Sequence, residues 1–254
     1  MSIFMEKNDF WAKLSGLSFF YRWHPEVALR YLPIVSEIKK YPGTPKILEV
    51  GSGGLGIAPY LRRQVTGLDL EFEPPCHPLL RKVKGSVLKL PFADGSYDIV
   101  LTADMLEHLP KSKRQKAVSE MLRVARDKLF IAVPCGKEAY QQDKELDSEY
   151  QEKYHRRYHF LEEHLKGKTD EGLPEEKEIY DTILSSAESL KKKIEIKTFD
   201  NENLQLRKFL MRGWMSENIF VNIFFRKILI LALPLMRTMN KKPVYRQIFV
   251  CQLI

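Results

Sequence analysis

The chain has 254 residues, enough for one sizeable α/β domain with appendages or two small domains, and its apolar content of 44% suits a protein with a buried core. The net charge of +8 is confined to one end: from Lys191 onward 13 basic and 4 acidic residues give +9, leaving −1 for the first 190. Cys76, Cys135 and Cys251 are isolated, so a disulfide framework and a cysteine zinc site are excluded, and no His/Cys/Asp group has metal-ligand spacing. The opening "MSIFMEKNDFWAKL" mixes charges and lacks the basic-then-apolar order of a signal peptide, and no window offers 18 uncharged apolar residues. The expected setting is the cytoplasm.

Residues 9–40 show apolar positions at helical spacing, with Pro25 separating two helices, and "YPGTP" marks a turn. Strands are expected at Lys46–Val50, Gln64–Leu68, Arg81–Lys84, Asp98–Thr102 and Lys128–Val133, with helices at 56–63 and 113–127. Alternation of β and α at this spacing predicts a doubly wound, mostly parallel sheet. Residues 137–190, rich in Glu, Lys, Tyr and His, read as helical, since a structureless loop of that length is improbable inside a compact domain. "KKIEIKTF" (192–199) returns to strand alternation, 203–239 reads as helix of rising apolarity, and "YRQIFVCQLI" (245–254) is a final strand. The organisation is an N-terminal helical cap (1–44), a ligand-binding core (45–135), a helical insertion on the acceptor side (136–191) and two last strands with a basic and apolar helix between them (192–254).

"KILEVGSGGLGIAPYL" (46–61) carries the chemistry. Gly51, Gly53 and Gly56 spell G-x-G-x-x-G at the end of a strand, a turn that brings backbone close to a ligand. Glu49, two residues earlier, would repel a pyrophosphate and attract an ammonium. Asp69, 18 residues after Gly51 at the end of the next strand, can accept hydrogen bonds from both hydroxyls of a ribose. A ligand with an amino-acid head and a nucleoside tail meets both demands, and S-adenosylmethionine is that ligand.

From about Pro45 to Pro134, a third of the chain, the sequence resembles the class I S-adenosylmethionine-dependent methyltransferases of small-molecule type. Beyond the glycine loop, the resemblance rests on Leu90-Pro91-Phe92, Asp94, Ser96-Tyr97-Asp98, Val100 and Leu106-Glu107-His108. It implies a seven-stranded Rossmann-like sheet and assigns positions. Glu49, Gly51, Ser52, Gly53 and Gly56 would form the methionine end. Asp69 would take the ribose, Leu70 would pack on the adenine, and Ser86 and Val87 would lie at the adenine edge. Ser86 replaces an aspartate common in the family. Thr102, Ala103 and Asp104 would line the sulfonium region.

Methyl transfer asks the protein mainly to align a nucleophile about 3 Å from the methyl group and to exclude water. A general base is needed only for a protonated hydroxyl. His108 is the candidate base, with His24 and the pair His155 and His159 as alternatives; Tyr158 and His159, with Asp104, are candidates for touching the acceptor. The resemblance implies a small acceptor, a sugar or a lipid-linked intermediate. Segment 219–242 has only nine uninterrupted apolar residues, Ile228–Met236, but is flanked by Arg226, Lys227, Arg237, Lys241 and Lys242. That pattern suits peripheral contact with an anionic membrane. An RNA methyltransferase, suggested by the basic C-terminal quarter, and a catalytically inactive S-adenosylmethionine-binding scaffold are the alternatives.

Overall fold

The computed structural model describes residues 23–165 and 172–254; the helix expected over 9–22 lies outside them. A seven-stranded sheet runs in the order β3-β2-β1-β4-β5-β7-β6. Its strands are β1 (Ile47–Val50), β2 (Val65–Asp69), β3 (Leu80–Lys84), β4 (Tyr97–Ala103), β5 (Ala125–Pro134), β6 (Ile194–Asn203) and β7 (Val244–Leu253). The first five are parallel, and β7 lies antiparallel to both β5 and β6. This is the doubly wound, mostly parallel sheet expected. The inner strand "ILEV" is buried on both faces, as a strand covered by helices on each side must be.

One face is covered by α1 (Pro25–Lys39), α7 (Leu204–Trp214) and a helical stretch, α8, from Ile219 to Met236; their Ala28, Ile34, Leu210, Ile230 and Leu233 pack with Ile47, Leu101 and Phe130. The other face is covered by α3 (Lys111–Val124) and α6 (Glu176–Ser189), whose Val118, Met121, Ile179 and Ile183 pack on Leu48, Val100 and Ile131. Pro25 sits at the start of α1, where a missing N–H costs nothing.

Two expected helices are shorter than the pattern suggested. The one after the glycine loop, α2, is a single turn, Ala58–Leu61, ended by Arg62 in the left-handed conformation at φ 56°. The stretch 203–239 breaks after Trp214, and the Asn218 side chain starts a new helix by accepting from the N–H groups of Phe220 and Val221. Residues 137–190 contain α4 (Lys137–Tyr154), α5 (His159–Leu165) and α6. Helix α4 is riveted to α7 by Arg207–Asp143, Lys208–Glu145 and Arg212–Glu149, whereas α6 lies against α3 on the opposite face.

Candidate active site

Parallel strands β1, β2 and β4 deliver the glycine loop, Asp69 and Asp104 to one edge of the sheet, their carboxyl ends. Gly51 turns the chain at φ 76°, and its N–H donates to Leu68 O at 2.8 Å. A Cβ there would come within 2.6 Å of Met105 Cγ, so only glycine fits. The Gly53 N–H donates to Asp69 Oδ2 at 2.7 Å, and the Leu70 N–H donates to Asp69 Oδ1 at 2.7 Å. Asp69 thereby fixes the loop, and each oxygen keeps a second lone pair for a ligand hydroxyl.

Glu49 is wholly buried. Its Oε2 accepts from the Ile57 N–H at 2.7 Å; Oε1 has no donor in hydrogen-bonding geometry, although the Tyr31 hydroxyl lies close enough to act on the carboxyl. Gly56 is required beside it, because at φ 51° a Cβ would meet Glu49 Oε2 at 2.1 Å. Burial pushes the Glu49 carboxyl up to about 7, against the opposing pull of the Ile57 N–H, the Tyr31 hydroxyl and Arg30. The N–H of Ile57, at the head of α2, is thus taken by Glu49.

The remaining residues singled out by sequence divide. Leu70 is 69% exposed on the sheet edge, an apolar surface beside Asp69, and Val87 is buried nearby in the core. Ser52 Oγ donates to Gly53 O, and Ser86 Oγ already accepts from the Leu88 N–H at 3.2 Å. Ala103 is buried in the core at the end of β4. Thr102 does not line a site: its hydroxyl donates to Val50 O at 2.8 Å and ties β4 to β1. His108 lies on a short 3-10 turn, 39% exposed, with Nε2 3.8 Å from Glu107 Oε1. Tyr158 is half-buried against Trp214, while its neighbour His159 and His155 are exposed.

Asp104 does not point at open space. Its carboxylate is gripped by Arg246, with Nε–Oδ1 at 2.5 Å and Nη2–Oδ2 at 2.6 Å, and by Arg30 at 3.0 Å. The network continues through Glu26 and Glu202 to Arg207, Asp143 and Tyr245. Three arginines, Arg30, Arg207 and Arg246, face four carboxylates, Glu26, Asp104, Asp143 and Glu202. Burial, then the charge of Glu26, pushes Glu202 up to about 7, which relieves the excess. Sequence reading missed this cluster, since its members lie far apart in the chain and each alone reads as a solvated charge.

Beside it, at the start of α1, aromatic side chains gather. The His24 ring lies 4.8 Å from that of Trp214, with Tyr158 and Phe160 around Trp214 at 6.2 and 6.0 Å and the Arg226 guanidinium over it at 5.8 Å. Both ring nitrogens of His24, Trp214 Nε1 and Arg226 Nε are buried without hydrogen-bond partners. Burial, with Arg226 and Lys227, drives His24 down to about 3, so its imidazole is neutral. An open cleft lined by Cys135, Glu138, Glu175, Lys242 and Gln247 lies elsewhere, and none of Glu49, Asp69 or His24 lines it. Among the described residues no group of side chains could hold a metal ion.

Residues 48–132 match the family model described as a methyltransferase domain. Over this third of the chain the sequence is similar to methyltransferase domains. An uncharacterized methyltransferase of Mycobacterium sp. (strain KMS) is 38% identical over 93 residues, 34% of this chain and 36% of that one. The chain spans about a third of the length of most of the curated relatives it matches. Among solved structures, the methyltransferase domain of bacterial CtHen1-C superposes with a TM-score of 0.50 at 13% identity, covering 89% of this chain and 97% of that one. The [4+2]-cyclase SpnF also reaches 0.50, at 15% identity, covering 89% and 81%. These two establish the fold, and the second is named for a different reaction.

The residues at this edge of the sheet fit S-adenosylmethionine. The unpartnered Glu49 Oε1 is the acceptor an ammonium requires, and the free lone pairs of Asp69 suit the ribose hydroxyls. The space around Gly53 is open, with no atom within 4 Å of a Cβ placed there, and exposed Leu70 offers a face for adenine.

Proposed function

We propose that the protein transfers a methyl group from S-adenosylmethionine to an oxygen of a small acceptor, a sugar or a lipid-linked intermediate. The observation that carries this is Glu49: a wholly buried carboxylate with one unpartnered oxygen, held next to the loop that Asp69 fixes. When bound, the cofactor supplies an electrophilic methyl on a sulfonium. The chain has to bind, orient and exclude water, which is why a single loud catalytic constellation is unnecessary. Glu49 would hold the ammonium and Asp69 the ribose.

The aromatic group at the start of α1 suits the acceptor. It offers ring faces to sugar C–H groups, and Trp214 Nε1 and Arg226 Nε offer donors to hydroxyl or anionic oxygens. His108, exposed on its turn, is the candidate base, while His24, held neutral by burial and by Arg226, offers the acceptor a hydrogen bond rather than a place for its proton. The buried Asp104, paired with two arginines, would position these elements rather than react.

The test is transfer of labelled methyl from S-adenosylmethionine by the purified protein to glycolipid and sugar fractions of a cell extract. Label in these fractions, lost with Asp69→Ala, supports the reading. Label entering RNA would favour the nucleic-acid alternative. No transfer together with intact cofactor binding would favour a scaffold.

A further inference from the structure

The helical stretch Ile219–Met236 is 18 residues long, has mean hydropathy 2.0, and only 17% of it is buried. Five of its exposed apolar side chains fall in one line: Phe220, Phe224, Ile228, Leu231 and Leu235, at steps of four, four, three and four. That spacing is a single helical face. Phe220, Leu231 and Leu235 are 79, 71 and 69% exposed. The opposite side is fastened to the domain. Ile230, Leu233 and Met236 are buried in the core under α1, and the Phe225 ring seats on Gly213, where even a Cβ would lie 2.1 Å from it.

The surroundings carry charge of one sign. From Asn218 to the last residue there is no Asp or Glu, and Arg226, Lys227, Arg237, Lys241, Lys242 and Arg246 are basic. Lys227, Arg237 and Lys241 are exposed. We propose that this stripe docks the protein on an anionic phospholipid surface, the helix lying in the plane of the interface with its outer face among the acyl chains. The inference does not rest on the methyl-transfer reading.

Other occupants fit less well. A second copy packed two-fold on the same stripe would bring the same lysines and arginines against one another. RNA would find the basic residues and the Phe220 and Phe224 rings, but would leave Ile228, Leu231 and Leu235, which offer no ring to stack on, against water. Crossing the bilayer would need about 30 Å of apolar helix; 18 residues rise about 27 Å, and one side is committed to the core.

The test is co-sedimentation of the full chain with vesicles of phosphatidylcholine alone or mixed with phosphatidylglycerol. The protein should sediment with the mixed vesicles, be released by alkaline carbonate, and bind less as salt rises. Phe220→Ser, Leu231→Ser and Leu235→Ser together, all at exposed positions, should lower binding at least tenfold. Lys227→Gln and Lys241→Gln should each lower it about fivefold. Far-UV circular dichroism and the urea midpoint should be unchanged in every variant, which shows that they fold. The proposal is overturned by absence of vesicle binding, by binding indifferent to the triple substitution, by retention through carbonate, by stripe-dependent dimers that ignore vesicles, or by capture of RNA in place of lipid. Vesicle binding by a protein that ignores S-adenosylmethionine would sink the methyltransferase reading and leave the docking intact.

Discussion

Arg246 and Asp104 are 142 residues apart in sequence and meet as a fork against a carboxylate, at 2.5 and 2.6 Å, with both side chains buried. The pair locks the start of β7 to the turn after β4, and Arg30 and Glu26 bring α1 onto the same spot. Arg246→Met should therefore do more than remove a contact. It leaves Asp104, Glu26 and Glu202 short of positive charge in a dry environment, a loss of about 3–5 kcal/mol. Urea unfolding monitored by circular dichroism would show it as a lowered midpoint. A midpoint unchanged from the parent would mean the network is not closed as described.

Glu49 makes cofactor binding depend on pH. Its folded pKa, about 7, lies above the ordinary 4.5, so the ligand-free protein is favoured by the protonated form. That stability is fully present below about 4.5 and is lost as pH rises through about 7. An ammonium beside Oε1 reverses the preference, so binding at pH 6 should release a proton. Affinity for S-adenosylmethionine should rise with pH, by up to about tenfold per unit, and level off above 7. Calorimetry in two buffers of different ionisation enthalpy measures the released proton directly. Glu49→Gln should weaken binding and flatten the profile.

Asp69→Ala removes the anchor of the Gly53 N–H as well as the ribose partner. Hydrogen bonds to a charged group are worth about 1.5–3 kcal/mol, so cofactor affinity should fall at least tenfold. Asp69→Asn, which can still accept from the loop, should lose less. Equal losses in the two variants would place the ribose elsewhere.

The two candidate bases separate by substitution. His108 is exposed and its neighbour Glu107 is buried, whereas His24 is buried against Trp214 with both nitrogens unbound. With an acceptor in hand, His108→Gln should lower turnover more than His24→Gln while both retain cofactor affinity, because burial and Arg226 keep His24 from holding a proton. The reverse order would make His24 the base.

The sequence exposed what is local. The run "ILEVGSGGLG" states a buried strand, a turn and an acceptor group within ten residues, and Asp69 follows at the end of the next strand, so the strands, the loop and its two carboxylates were readable. The β4 segment was readable for the same reason. Hidden were the relationships that need the tertiary fold: Arg246 with Asp104, Arg30 with Asp104, and His24 with Trp214. An arginine inside a strand looks like an edge residue until its partners arrive from elsewhere, and Thr102 looked like a site residue until its hydroxyl turned inward to Val50 O. The apolar stripe was half visible. Arg226 and Lys227 interrupt the run in sequence, but on the helix Phe220, Phe224, Ile228, Leu231 and Leu235 line up past them.

One titration tests the reading most directly: the purified protein against S-adenosylmethionine and S-adenosylhomocysteine, with NAD as control, at pH 6 and pH 8. Binding of the first two, tighter at the higher pH, and none of NAD is the expected result. Binding of NAD, or of none of the three, would contradict the assignment of Glu49 and Asp69 as the two ends of an S-adenosylmethionine site.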